Sequence, residues 1–381
     1  MSDKRLDILD GFRCVAIVSV LFFHFYSKWT FPVKEENYLP GENVYHTDIF
    51  NHGNLGVQFF FIISGFVIFY TLERSETLIA FLIKRFIKLF PTMLLCSVVT
   101  FLAIPLLDSY NEYPNFHSRF IDFLPSLTFT PPSGWQRLFN DPDIDYINGS
   151  YWSLWPEVVF YFVAGITYFS NKKLFVRNWF VLIFVALVTN VLYMLFSNLP
   201  ITARPLIPGA RNHLYFSLGI LFYCLHKSRK VSAFSYLTIV LLSIYTLVLA
   251  GTPQRVGFVV MVSLFLLFIY KQEWVSFFKW KFLTTIGLVS YSLYLIHENI
   301  GVVLINRLAT LTGTGVLAFL LPLLVSALCI VFSILVFQWY EKPVDYYLKK
   351  RLARFIHPQR RTGSDKNDIR KDKAGVVISA S

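Results

Sequence analysis

Arg13 and His24 stand eleven residues apart in a run that is otherwise almost wholly apolar from Gly11 to Trp29. At 3.6 residues per turn, that spacing puts both side chains within roughly 20° of one helical face, about 16 Å apart along the axis. A guanidinium is suited to phosphate or carboxylate. An imidazole is the side chain best placed to act as a general base near neutral pH. Asp10, one turn before Arg13, is spaced to pair with it. The plainer reading of His24 is a histidine hydrogen-bonded at a helix interface. A second group follows at Glu157, which shares a helical face with Ser153 and Tyr161 at i−4 and i+4. A third is His297, with Ser290 and Tyr294 on its own face. Its neighbour Glu298 points to a different face and is expected at an outer rim. Lys84, Arg85 and Lys88 lie on adjacent turns of another apolar stretch. They read either as a clamp for the phosphates of an anionic cofactor or as ordinary charge at a membrane's inner surface.

The elements that carry these groups are too apolar for water. The chain has 381 residues, of which 55% are hydrophobic and only 15% charged, with 40 Phe and 8 Trp. Soluble domains carry roughly 25% charged residues. The mean hydropathy is +0.54. The expected fold class is therefore all-α, a polytopic membrane protein. Ten stretches approach the roughly 20 residues that a crossing needs: 11–29, 56–72, 86–107, 151–169, 178–196, 211–226, 233–250, 256–271, 282–306 and 315–340. Within such a stretch a titratable side chain is costly unless paired or facing water, so each one is a functional candidate. Gly56, Ser64 and Gly65 allow close helix packing.

Charge placement supports the count. With the N-terminus in the cytoplasm and ten crossings, the inner side collects 27 of the 35 Lys and Arg. The first stretch then reads as a retained span. The domain division is 1–348 for the transmembrane domain and 349–381 for a basic cytoplasmic tail expected to be disordered. That tail holds much of the formal net charge of +12. It suits anionic lipid and lacks the aromatic interleaving of a nucleic-acid surface, so no nucleic-acid partner is expected. Cys14, Cys96, Cys224 and Cys329 all lie in apolar stretches, with neither metal-ligand nor disulfide spacing; no metal is expected. The longest outer loop, about 108–150, carries Trp135, Phe139 and Tyr146. It is either an acceptor-binding cap with rings for stacking on a sugar, or a packed cover. Asn148-Gly149-Ser150 fits the short glycosylation pattern.

Four blocks in order resemble the acyltransferase 3 family of integral membrane acyltransferases, from Asp10 to about Pro343. Asp10-Gly11-Phe12-Arg13 with His24 resembles its Arg-x10-His opening. Residues 56–66, Gly-Val-Gln-Phe-Phe-Phe-Ile-Ile-Ser-Gly-Phe, resemble its second block. Trp152-Ser153-Leu154 with Glu157, Phe160 and Tyr161 is similar to the third, and Ser290-Tyr291-Ser292-Leu293-Tyr294-Leu295-Ile296-His297 to the fourth. The chain departs from the pattern at Cys14, at Gln58 and at Lys88, where a second Arg is usual. The resemblance implies transfer of an acyl group, acetyl above all, from cytosolic acyl-CoA to a hydroxyl, commonly on a cell-surface carbohydrate, by the membrane domain alone.

Residues and resemblance together predict these roles. Arg13, Arg85 and Lys88 bind the phosphates of acetyl-CoA or another acyl-CoA. His24 serves as general base or transient acyl carrier, and Glu157 orients or charge-balances it. His297, Ser153 and Tyr294 contact the acceptor. The expected location is the bacterial inner (plasma) membrane, with the lipid bilayer as a partner. The rival reading is a transporter or flippase of an anionic or glycan solute, which also uses buried His and Glu but often shows inverted repeats. No such self-similarity is evident in the sequence.

Overall fold

Apolar side chains all round leave a chain in lipid only one way to satisfy its backbone within a single segment, the α-helix. Among the described residues, helices and short helical turns are the only regular structure. The structure is a computed structural model that describes residues 7–29, 50–108, 112–195, 210–312 and 316–353. In order, the helices are α1 Asp7–Phe23, α2 Leu55–Glu73, α3 Leu78–Leu107, α4 Phe123–Thr128, α5 Pro132–Phe139, α6 Leu154–Ser170, α7 Phe175–Leu195, α8 Ala210–His226, α9 Ala233–Val248, α10 Thr252–Tyr270, α11 Lys281–Leu288, α12 Ser290–Thr312, α13 Val316–Val336 and α14 Lys342–Arg351. Two π-helical turns, His24–Lys28 and Phe337–Glu341, continue α1 and α13.

Each of the ten expected stretches contains helix. By length and composition six helices qualify as membrane spans among the described residues, and a seventh arises if α11 and α12, which meet at 70°, count as one. The fold is therefore all-helical and polytopic. α6, α8 and α9 have 17, 17 and 16 residues, less than a straight crossing of roughly 30 Å requires at 1.5 Å per residue. The expected tail boundary at 348/349 falls inside α14, where Lys349 pairs with Asp345 at 2.8 Å. The rest of that expected tail, 354–381, lies outside the described residues, as do Lys4 and Arg5.

Close approach of backbones holds the centre together. A methyl group at Gly65 would overlap the carbonyl of Phe216, and one at Gly219 would overlap the carbonyl of Ile62. α2 and α8 thus cross with main chain against main chain, the packing that small residues permit in lipid. Around this crossing the Phe-rich sequence makes its core from rings. Phe160 stacks on Phe216 at 4.3 Å, and Phe12 meets Phe278 edge-on at 4.9 Å. All four cysteines are buried and free.

The described part of the 108–150 loop is a packed cover. Asn148 caps the turn that leads into α6, accepting from the Ser150 N–H at 3.0 Å. Its amide donates to the Leu295 carbonyl of α12 at 3.3 Å, and Asn299 donates to the Ile147 carbonyl at 3.3 Å. Asn148 is fully buried, which rules out glycosylation there in the folded protein despite the sequence pattern. Of the three loop aromatics, Phe139 stays exposed and lies parallel to Trp135 at 6.2 Å, whereas Tyr146 packs against the core.

Candidate active site

A cavity of about 460 Å³ opens among α1, α2, α3, α6 and the α11–α12 bend, within the usual size range of small-molecule sites. Arg13, Arg85 and Lys88 all line it. α1 brings Arg13, whose Nη1 donates to Asp10 Oδ1 at 2.9 Å. The first turns of α3 bring the other two. Arg85 Nη2 reaches Thr71 Oγ1 at 3.4 Å, and the guanidinium lies 5.9 and 6.0 Å from the ring centres of Phe81 and Tyr161. Lys88 Nζ is 3.3 Å from Glu341 Oε2, on the π-turn after α13. The Lys88 side chain is 47% exposed and that of Arg13 30%, so both can meet a ligand at the opening. Lys84 turns away, donating to the Arg74 carbonyl and Ser75 Oγ.

Further in, the wall becomes acidic and hydroxylic. Glu157 Oε1 accepts from Ser64 Oγ at 2.7 Å and from Tyr161 Oη at 2.6 Å. The i, i+4 spacing of Glu157 and Tyr161 makes the second bond a local consequence of helix α6. Ser153 and Tyr294 meet across the cavity, hydroxyl to hydroxyl, at 2.8 Å. Tyr294 Oη also donates to the Ser150 carbonyl at 2.8 Å. A phenol has one proton, so with that proton on the carbonyl Ser153 is the donor to Tyr294.

His24 and His297 do not line this cavity. Their rings sit edge to face at 4.8 Å, and the His297 ring is 5.6 Å from that of Tyr294, which does line it. The expected passage along α1 from Arg13 to His24 is closed by packing. α2 seats on the intervening stripe at Gly56, where a methyl group would overlap the Ala16 carbonyl and crowd Val20. Tyr294 and His297, both buried, stand between the cavity and the His24 ring.

The partner of His24 also differs from the sequence expectation. Glu157 is engaged by Ser64 and Tyr161. The carboxylate beside His24 is Glu298, with Oε1 3.0 Å from Nδ1. Lys28 Nζ donates to the same oxygen, and Trp29 Nε1 reaches it at 3.2 Å. Glu298 is wholly buried, not at a rim. Reasoning by helix face missed it because α12 is a central helix packed against α1, α3 and α13, so more than one of its faces is internal. The signal was present: a carboxylate inside an apolar stretch is a candidate whichever way it points.

A hydrogen bond assigns the ring proton of His297. His297 Nδ1 lies 2.8 Å from the Tyr294 carbonyl, which can only accept. His24 Nδ1 faces a carboxylate. The neutral His297 ring therefore carries its proton on Nδ1 and its lone pair on Nε2, the form of a base, and the carboxylate 3.0 Å from His24 Nδ1 favours the same tautomer there. The described residues contain no group of three or more His, Cys, Asp or Glu that could hold a metal ion.

The chain is 27% identical over 255 residues to an O-acetyl transferase of Shigella phage Sf6, an alignment that covers 63% of this chain and 69% of that protein. No solved structure matches it. The description "Acyltransferase domain" matches residues 6–338, a span that includes every cavity-lining residue, both imidazoles and Glu298. The protein thus belongs to the acyltransferase 3 family and is a membrane-embedded acyltransferase.

Proposed function

We propose that this protein is an O-acetyltransferase. It moves an acetyl group from cytosolic acetyl-CoA to a hydroxyl of a cell-surface or exported carbohydrate, in a bacterial inner membrane. The observation that carries the proposal is one cavity lined by three cations and, deeper, by carboxylate and hydroxyls, in a chain of the acyltransferase 3 family with an O-acetyl transferase among its relatives. Family membership also favours transfer over transport.

Arg13 and Lys88, exposed at the opening, hold the donor's phosphates with Arg85 behind them. The slender thioester arm runs inward along Phe60, Ser64 and Tyr291 toward Tyr294. The acceptor approaches the imidazoles from the other side. Its hydroxyl oxygen attacks the thioester carbonyl carbon and His24 Nε2 takes the hydroxyl proton. The C–S bond then breaks, and the same proton passes to the departing thiolate, giving free CoA thiol and the ester. Proton transfer by a positioned base contributes typically 10²–10⁴-fold. His297, Ser153 and Tyr294 form the partition across which donor and acceptor meet, and the acceptor is held there through the His297 Nε2 lone pair and the Ser153 oxygen.

One observation favours a second base: Glu157 lines the cavity and His24 does not. Membranes containing the protein, given acetyl-CoA labelled in the acetyl group, separate the two. Labelling of surface carbohydrate is expected with the wild type, and a loss on the order of 100-fold with His24→Ala. A folded, membrane-inserted His24→Ala protein with full transfer, beside an inactive Glu157→Gln, would assign the base to Glu157. Absence of both labelling and acetyl-CoA binding in the wild type would remove the proposal.

A further inference from the structure

Glu298 has no role in the reading above, yet its wholly buried carboxylate sits among an ammonium, an indole and two imidazoles. Two donors bond its Oε1, Trp29 Nε1 at 3.2 Å and the Lys28 ammonium, and His24 Nδ1 stands at ion-pair distance from the same oxygen, 3.0 Å away. All three come from the π-turn that ends α1, or from the residue after it. This wide turn, of a kind frequent at functional sites, sets His24 and Lys28 on the same side toward α12. His297, next to Glu298 on α12, closes the group by its ring contact with His24. The second oxygen, Oε2, has no hydrogen-bond partner among the described residues.

A buried ion cluster is weak evidence for stability, because desolvation offsets much of the attraction. Its better-attested use is to fix geometry. A carboxylate on Nδ1 does two things to an imidazole that must work through Nε2: it holds the ring's orientation and it fixes the tautomer. It also stabilises the imidazolium formed when Nε2 takes a proton, in surroundings where an unpaired cation is costly. Lys28 and Trp29 in turn hold the carboxylate, so the ring is positioned by a side chain that is itself positioned.

We propose that Glu298 is the positioning residue of His24, with Lys28 and Trp29 anchoring it, and that Glu157 does not serve this purpose. The inference rests on the assignment of His24 as base. Glu298 itself touches neither donor nor acceptor and stays ionised throughout; only the His24 Nε2 proton moves.

The full-length protein in nanodiscs, labelled with 15N-histidine, supplies a readout that does not depend on transfer. His24 is assigned by loss of its signal in His24→Ala. In the wild type it is expected as the Nδ1–H tautomer. In Glu298→Leu, which removes the acceptor for Nδ1–H, that preference is expected to be lost, in Glu298→Asp it is expected to be kept, and in Glu157→Gln the tautomer is expected to stay. Acetyl transfer from labelled acetyl-CoA to membrane carbohydrate should follow the tautomer across wild type, Glu298→Asp and Glu298→Leu. Glu298→Leu should lose on the order of 100-fold in kcat, with donor KM unchanged and a smaller loss in Glu298→Asp. An unchanged His24 tautomer in Glu298→Leu overturns the proposal. So does wild-type kcat in that variant, which also covers a purely structural carboxylate. If wild-type membranes transfer nothing, the tautomer result still decides the pairing, and only the function of the enzyme is reopened. Should Glu298→Leu fail to fold, Glu298→Asp and Lys28→Met take its place, with loss or retention of the Nδ1–H preference in Lys28→Met deciding.

Discussion

Two hydroxyls donate to a single oxygen of Glu157, and they come from different helices: Ser64 from α2 and Tyr161 from α6 itself. The carboxylate is therefore held by one local bond and one tertiary bond, in a cavity wall where either loss leaves it short of a donor. Hydrogen bonds to charged groups contribute about 1.5–3 kcal/mol. Tyr161→Phe is expected to lower stability by that order while keeping ring packing, read as a drop in the thermal midpoint of the detergent-solubilised protein; an unchanged midpoint would mean that Ser64 alone suffices. At this scale much of the site was legible. Arg13, Arg85, Lys88, Ser153, Glu157 and Tyr294 stand out as polar groups in apolar runs, and all line one cavity. What escaped was pairing. Nothing in spacing along one helix tells which carboxylate of another helix lies opposite His24. The neighbour rule that set Glu298 aside holds for a helix with one internal face, and α12 has several.

Elements position these side chains by where they stop as well as where they run. α3 ends at Asp108, whose buried carboxylate gathers the chain beyond it. Oδ1 accepts from the Glu112 N–H at 2.8 Å, and Oδ2 accepts from the Tyr113 N–H at 2.9 Å and meets His117 Nε2 at 2.8 Å. Arg307 of α12 lies 3.8 Å from Oδ1 and donates through Nε to the Leu107 carbonyl at 2.7 Å. The outer cover is thereby fastened to α3 and α12 at one point. Burial alone would raise the Asp108 carboxyl, but the bonds from His117 and the two N–H groups outweigh it and hold the group below the usual carboxylate range. A carboxyl lowered on folding stabilises the fold above its unfolded value, about 3.9. That stabilisation is lost as pH falls below this value through the depressed folded one. Protection against hydrogen exchange across 112–150, measured relative to the free-chain rate at each pH, is therefore expected to fall below about pH 4 in the wild type. In Asp108→Asn protection should already be low at neutral pH, with that acid step removed; an identical acid profile of protection in both proteins would place the fastening elsewhere. None of this was readable in the sequence, where 108–150 could be a cap or a cover with equal ease. Hydrophobic runs reveal helices because the bilayer imposes them, whereas a loop's partners are chosen by tertiary contact.

Taken whole, the molecule presents its polar interior to two directions. The cations open the cavity at one end. At the other, the buried Glu298 carboxylate lies one glycine beneath the exposed turn that joins the cover to α6. A Cβ at Gly149 would stand 3.5 Å from Oε2 and 3.6 Å from Oε1, and Gly149 is solvent-exposed. Under the proposed function this is where an acceptor hydroxyl comes nearest to the His24 pair, because the stripe along α1 is filled by the α2 contact at Gly56 and the cavity side is taken by the donor. The bare backbone at that spot leaves the approach shallow; a branched side chain would stand in it, with its Cβ against the Glu298 carboxylate. Gly149→Leu is accordingly expected to abolish acetyl incorporation into membrane carbohydrate, while binding of labelled acetyl-CoA to the same membranes stays at the wild-type level. Loss of both would mean that the turn was distorted through to α6 and the cavity wall at Ser153. Retention of both would move the acceptor's approach away from this turn, leaving the Tyr294 partition as the place where the two substrates must be sought together.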